Sequence, residues 1–302
     1  MTTFELVPRG PFSLEESAMF GFGQRHQDGY DSMMRLAFCV DGFAGQAAVA
    51  LTQPGGLDGV VHGEIYARVG DAPTETIVAQ VARVLSLDHD ATGFLAVGDR
   101  DPVIADLHAA APGLRPPLFY SPYEAAVWAV ISSRRPHGVA ELWRRRLSTS
   151  GGPPLAVAGQ TMWALPTPAS IAVMGPRRVA EATGIELVRA KRVVDVAEAA
   201  WAGALDADRL RAMDPAAART QLRAIPGIGP FYADLILIRA TGATDLFPAA
   251  EPKLLALLGD LYGLGRPATP EEATAAAEVW SPWRTWAAVL VRAAGRRVLA
   301  AA

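Results

Sequence analysis

Hydrophobic positions follow two regimes along this chain. In the first hundred residues, short apolar runs are cut by glycine, proline and aspartate. Met34–Val40, Gln46–Leu51 and Val60–Val69 read as strands, with turns at Asp41-Gly42 and Pro54-Gly55-Gly56. A helical period follows over Thr76–Leu87, so this part reads as a small α+β unit. From about Asp101 onward the period is almost entirely that of amphipathic helices. The spacing predicts helices over Tyr123–Ser132, Gly138–Leu147, Ile185–Ala202, Asp206–Met213, Pro215–Ala224, Tyr232–Thr241, Pro252–Tyr262, Pro270–Trp280 and Pro282–Leu299. Proline-rich Ala111–Pro117 reads as a connector. Ser148-Thr149-Ser150 opens a predicted loop that runs through Gly151-Gly152-Pro153-Pro154.

One border between helices carries chemistry. In Leu222–Asp234 a helical pattern ends, turns through Pro226-Gly227-Ile228-Gly229-Pro230 and begins again. Gly227 and Gly229 suit positions where a positive φ or a close backbone approach excludes a side chain. The turn presents backbone N–H groups at the start of the second helix, a seat for one phosphate of a nucleic acid. A tight turn between two packed helices, touching nothing, fits the same residues.

Charge distribution changes that balance. The chain has 302 residues, 51% hydrophobic and 20% charged, enough to bury two or more cores, with a net charge of −3. That total argues against a general nucleic-acid binder, but it is unevenly spread. Residues 1–122 hold 7 basic and 15 acidic side chains, whereas residues 123–302 hold 21 and 16. The basic excess is mostly arginine, suited to bidentate phosphate contact: Arg134-Arg135, Arg144-Arg145-Arg146, Arg177-Arg178, and Arg189 with Lys191-Arg192. Each cluster alone could equally be a solvated helix face.

A second candidate is Glu251. Pro252 follows it and favours the first turn of a helix, which places the carboxylate at the N-terminus of Pro252–Tyr262. The helix dipole favours its ionised form there, and such a charge aimed into a cleft stabilises positive charge on a substrate. A surface acid that only caps its helix is the alternative.

Other chemistries find little support. Cys39 is the single cysteine and sits in an apolar strand, so a disulfide framework is excluded. His26, His62, His89, His108 and His137 lack ligand spacing, which argues against zinc, and no four-cysteine set exists for an iron–sulfur cluster. No signal peptide or membrane span is visible, and a cytoplasmic location is expected.

Ile225–Ala233, the following Asp245-Leu246-Phe247 and the later Trp280-Ser281-Pro282-Trp283-Arg284-Thr285-Trp286-Ala287 together resemble 3-methyladenine DNA glycosylase II of the helix–hairpin–helix superfamily. The resemblance reaches weakly to Phe20-Gly21-Phe22 and Ala111–Arg115. It implies an α+β fold: a small mixed N-terminal domain (residues 1–98) similar to half of a TATA-binding-protein fold, then two mainly helical domains with a cleft between them. Residues 99–122 with 244–302 would form the helical domain bearing the carboxylate, and 123–243 the one bearing the helix–hairpin–helix. The implied activity is excision of alkylated bases from double-stranded DNA after base flipping, in base-excision repair, by a monomer with no catalytic cofactor.

The resemblance assigns residues one by one. Glu251 stands where the family has its catalytic aspartate, one methylene longer, and Asp245 aligns with a separate family aspartate. Bifunctional relatives have a lysine where this chain has Phe231, so no AP-lyase activity is expected. Pocket aromatics align with Phe22, Phe231, Leu235 and Arg292, and only the first two are aromatic here. The strand-probing wedge aligns with Arg134, between Ser133 and Arg135. DNA phosphate contact is implied for Gly227, Gly229 and Phe231. The carbonyls of Arg223, Ile225 and Ile228 align with those that hold a structural Na+ or K+. A catalytically silent DNA-binding protein of this fold, or a helical module with a purely structural hairpin, are the competing readings.

Overall fold

A computed structural model describes residues 2–20 and 30–301 of the chain. Its first part is a four-stranded antiparallel sheet in the order β1-β4-β3-β2, built from β1 (Thr2–Leu6), β2 (Met34–Cys39), β3 (Gly45–Thr52) and β4 (Val61–Gly70). The three strands expected from the sequence are present within a residue or so. β1 went unread, because Thr2–Leu6 has too short a pattern to stand out from a terminus.

The period-2 alternation of β2 and β3 gives the sheet two different faces. Leu36, Phe38, Val49 and Leu51 point to a core shared with α1 (Leu14–Phe20) and α2 (Thr74–Val84). On the other face Ala37, Ala48 and Ala50 leave room for the small hairpin of β5 (Leu155–Val157) and β6 (Gln160–Met162). Buried Gln46 fastens that face to the helical part, its side-chain amide donating to the Leu165 carbonyl at 2.8 Å.

The helices after residue 100 are α3 (Pro102–Ala110), α4 (Pro122–Ser132), α5 (His137–Gly151), α6 (Pro168–Thr183), α7 (Leu187–Trp201), α8 (Ala207–Ala212), α9 (Pro215–Arg223), α10 (Pro230–Ala240), α11 (Pro252–Leu261), α12 (Pro270–Ala277) and α13 (Arg284–Ala301). Ser148–Gly151, expected to open a loop, continue α5. Their hydroxyls explain this: Thr149 and Ser150 donate back to the carbonyls of Arg145 and Arg146, so they do not compete for the chain's helical bonds. α6 went unread because Gly175, at φ 67°, and Pro176 kink it in the middle.

Two further apolar clusters complete the molecule. One joins α4 with helices α5 to α10. The other packs α3, α11, α12 and α13 around Trp280 and Trp286. The hairpin helix α10 thus belongs to one cluster, and the helix started by Glu251 to the other.

Arg115, in the proline-rich connector, ties the sheet region to the second cluster. It is buried and donates to the carbonyls of Arg9 (2.7 Å), Gly10 (2.7 Å), Pro11 (3.0 Å) and Ser86 (3.2 Å). Its guanidinium also lies over Trp286 at 5.9 Å, and burial pulls its pKa down to about 10. Removing it would strand several carbonyls at once, that of Ser86 among buried groups. Arg115→Met is expected to lower unfolding free energy by about 3 kcal/mol in urea denaturation.

Candidate functional site

The hairpin is built from the ends of α9 and α10. Ile225 donates to the Leu222 carbonyl and Ile228 to the Ile225 carbonyl (both 3.1 Å), and both side chains are buried in the helical core. Gly227 has φ +97°, and a Cβ there would come within 3.0 Å of Arg192 Cδ and 3.2 Å of Val130 Cγ2. Both reasons require glycine.

Gly229 differs from the expectation. Its φ is −87°, and a Cβ would meet nothing within 4 Å. Nothing among the described residues demands glycine there. It is instead the start of α10, which has no side-chain cap and carries Pro230 at its first position. The N–H groups of Gly227, Gly229 and Phe231 find no acceptor among the described residues. On the other side of the turn, the Ile225 carbonyl accepts one bond, and those of Arg223 and Ile228 accept none from the described residues.

α11 begins differently. Glu251 is its N-cap, with Oε1 accepting from the Lys253 N–H at 3.2 Å and Oε2 from the Leu254 N–H at 2.6 Å. Arg292 of α13 lies with Nε 3.3 Å from Oε2. The carboxylate is therefore held through both oxygens and is still 21% exposed.

Asp245, the other acid of this segment, is locked into structure. Arg284 meets it with two side-chain bonds of 2.8 Å and one backbone bond of 3.1 Å, and Ser281 adds a fourth at 3.1 Å. Burial alone would raise its pKa, but the Arg284 and Ser281 bonds outweigh this and hold it below the ordinary carboxylate range. Thr285 adds a pair of 2.8 Å bonds to Leu246. Asp245 and Leu246 are thus fixed on the start of α13, the helix that also carries Arg292, while the Phe247 ring meets Trp280 edge-on at 5.8 Å. That shared anchor is what brings Glu251 and Arg292 together.

Of the expected pocket residues, Phe22 lies outside the described residues. Phe231 is 52% exposed in the first turn of α10, edge-to-face with Tyr232 at 5.2 Å. Leu235, one turn on and on the same helix face, is half-buried against the helical core. Arg292 is an ion-pair partner of Glu251, a role that the pocket alignment did not suggest.

The expected strand-probing loop follows α4. Ser133 is the C-cap, Arg134 is exposed with φ +55°, and Arg135 donates to the Ser132 carbonyl at 3.0 Å to close a turn. The basic clusters divide. Arg135 pairs with Glu186, Arg144 with Glu141 and Lys191 with Asp195, while Arg146 bonds the Thr183 carbonyl. Arg134, Arg145, Arg177, Arg178 and Arg192 form no ion pair among the described residues, so much of the basic excess remains available to a polyanion.

Among the described residues no group of three or more His, Cys, Asp or Glu could hold a metal ion. No described helix is long and apolar enough to cross a membrane.

No family model matches the chain. It is 30% identical over 213 residues to a Mycobacterium tuberculosis protein named probable bifunctional transcriptional activator/DNA repair enzyme AlkA, a match covering 70% of this chain and 41% of that protein. It is 24% identical to the Bacillus subtilis DNA-3-methyladenine glycosylase, over 70% of each chain. Among solved structures, a 3-methyladenine DNA-glycosylase from Archaeoglobus fulgidus superposes with a TM-score of 0.76 at 20% identity, covering 95% of this chain and 96% of that one.

The two glycines separate in a stability measurement. Gly227→Ala should cost about 2 kcal/mol through its left-handed backbone and crowded Cβ, whereas Gly229→Ala should leave the melting temperature within a degree or so.

The Asp245 linkage has a definite sign. Its folded pKa lies below the unfolded one, so its contribution is present above the ordinary carboxylate pKa and is lost as pH falls through the folded value. Asp245→Asn should therefore destabilise the protein at pH 7 and narrow its stability difference from wild type in acid, read by denaturation across pH 2–7.

Proposed function

We propose that this chain belongs to the helix–hairpin–helix DNA glycosylase superfamily and is a monofunctional DNA N-glycosylase that excises alkylated bases, with Glu251 as the catalytic carboxylate. The observation that carries the reading is Glu251 itself: a solvent-reached carboxylate at the start of α11, oriented through both oxygens. As the glycosidic bond lengthens, the sugar gains oxocarbenium character, and a fixed negative charge beside it lowers that barrier. Glu251 also keeps a lone pair with which to orient or deprotonate the attacking water.

The hairpin supplies the grip. The N–H groups of Gly227, Gly229 and Phe231, unpaired among the described residues, form an anion seat, and the open space at Gly229 lets a phosphate approach the backbone. A monovalent cation on the carbonyls of Arg223, Ile225 and Ile228 would add positive charge beside that phosphate. Arg134, with Ser133 and Arg135 behind it, would enter the duplex where the damaged nucleotide leaves, by stacking and hydrogen bonding. Phe22, Phe231, Leu235 and Arg292 would line the base pocket. The partner is double-stranded DNA carrying a damaged base, engaged by a monomer in the cytoplasm. The relatives named as 3-methyladenine glycosylases support the alkylated-base class.

One observation favours a second reading, a lesion-binding protein that does not cleave. Arg292 lies on Glu251 and offsets part of its charge. Single-turnover excision from duplexes carrying 3-methyladenine, 7-methylguanine, hypoxanthine or 1-methyladenine separates the two. Wild type should release at least one base, and Glu251→Gln should lose about 100- to 1000-fold in rate while binding the duplex as before. Retained binding with no release of any base would establish the non-cleaving reading.

Phe231 offers no amine for a Schiff base. Borohydride should therefore trap no covalent protein–DNA adduct, and a trapped adduct would contradict the monofunctional assignment.

A further inference from the structure

Arg189 belongs to the run of basic residues that composition assigns to phosphate contact, but its guanidinium is occupied elsewhere. α4 ends at Ser132, and its last carbonyls need donors from outside the helix. Arg189 reaches them from α7. Its Nη1 donates to the carbonyls of Val130, Ile131 (3.3 Å) and Ser133 (3.2 Å), and its Nε faces Glu186 at 3.3 Å. The side chain is only 15% exposed, too enclosed to meet a duplex.

The clamp is itself supported. Arg189 and Arg135 lie over the ring of Trp143, at 5.9 and 5.7 Å from its centroid, and Glu186 pairs with both. A second tie joins the end of α4 to the hairpin helix, through Ser132 Oγ and Tyr232 Oη at 3.2 Å. At the tip stands Arg134, a non-glycine residue in the left-handed region, with its side chain exposed. A loop free to relax would leave that backbone conformation, so the ties behind the tip are what maintain it.

We propose that Arg189 is the positioning residue of the probe loop: by holding the carbonyl end of α4 it keeps Arg134 presented for insertion, so that nucleotide extrusion depends on Arg189 and duplex binding does not. The inference rests on the reading of Arg134 as the plug. Arginine suits the task because its planar fork serves the α4 carbonyls and Glu186 at once, where a lysine ammonium offers a single point.

The test separates binding from extrusion. Stopped-flow fluorescence of a 2-aminopurine beside the damaged nucleotide follows extrusion, and titrations at several salt concentrations follow binding. Arg189→Met should keep the dissociation constant within about twofold and leave its salt slope unchanged, while slowing extrusion and single-turnover excision about tenfold. Arg189→Lys should recover part of that loss. In an Arg134→Ala background, Arg189→Met should add less than about twofold, because both changes disable one device.

A salt slope reduced by about one with extrusion intact would make Arg189 a phosphate contact and overturn the proposal. Losses that simply multiply in the double variant would overturn it as well. If Arg189→Met does not fold, Arg189→Lys carries the comparison, and extrusion at the wild-type rate in that variant sinks the idea. An Arg134→Ala variant that extrudes normally would remove the plug assignment and this inference together. Absence of excision by the wild type would leave the extrusion readout intact and count only against the glycosylase reading.

Discussion

The first turn of every helix leaves backbone N–H groups without partners, and two helices here resolve that constraint in opposite ways. α11 receives a carboxylate, Glu251, on the N–H groups of Lys253 and Leu254. α10 begins at Gly229 with no side-chain cap, and the neighbouring N–H groups find no acceptor among the described residues. The capped helix holds a fixed negative charge, and the bare one offers a fixed positive potential. The glycosylase proposed above would need both.

The remainder of the fold brings these two helix starts into one molecule. α10 is packed in the cluster of α4 to α10, and α11 in the cluster around Trp280 and Trp286. Between them, Thr244 accepts from the Thr285 N–H at 2.9 Å while Asp245 is clamped by Arg284, so the approach to Glu251 is anchored on α13. Arg115 then ties the same cluster to the N-terminal part through Arg9, Gly10 and Pro11. The placement of the carboxylate is therefore a property of packing between elements, although its local geometry is set by two neighbouring residues.

That division explains what could be read from the sequence. The hairpin and the helix after Glu251 depend on nearest neighbours, on Gly227 with its left-handed turn and on Pro252 at a first helical position, and both stand out in one dimension. The Glu251–Arg292 pair joins residues far apart in the chain, and nothing in either segment announces it. Arg189 looks like a phosphate ligand in a string of letters because a basic cluster carries no sign of Glu186 and Trp143 packed against it. Ser148–Ser150 read as a loop because their tendency to bond the backbone was visible, while the helical carbonyls they bond were not. Gly229 is the converse case. Its residue type was legible, but φ −87° and open surroundings show that no described residue of the chain requires it.

The central claim is that the Glu251 charge is matched to a cationic sugar. The most direct measurement compares duplexes carrying a cationic pyrrolidine or a neutral tetrahydrofuran abasic analogue, each titrated with wild type and Glu251→Gln. The wild type should bind the cationic analogue about 100-fold more tightly than the neutral one, and the variant should lose most of that preference. Equal preference in both proteins would contradict the account.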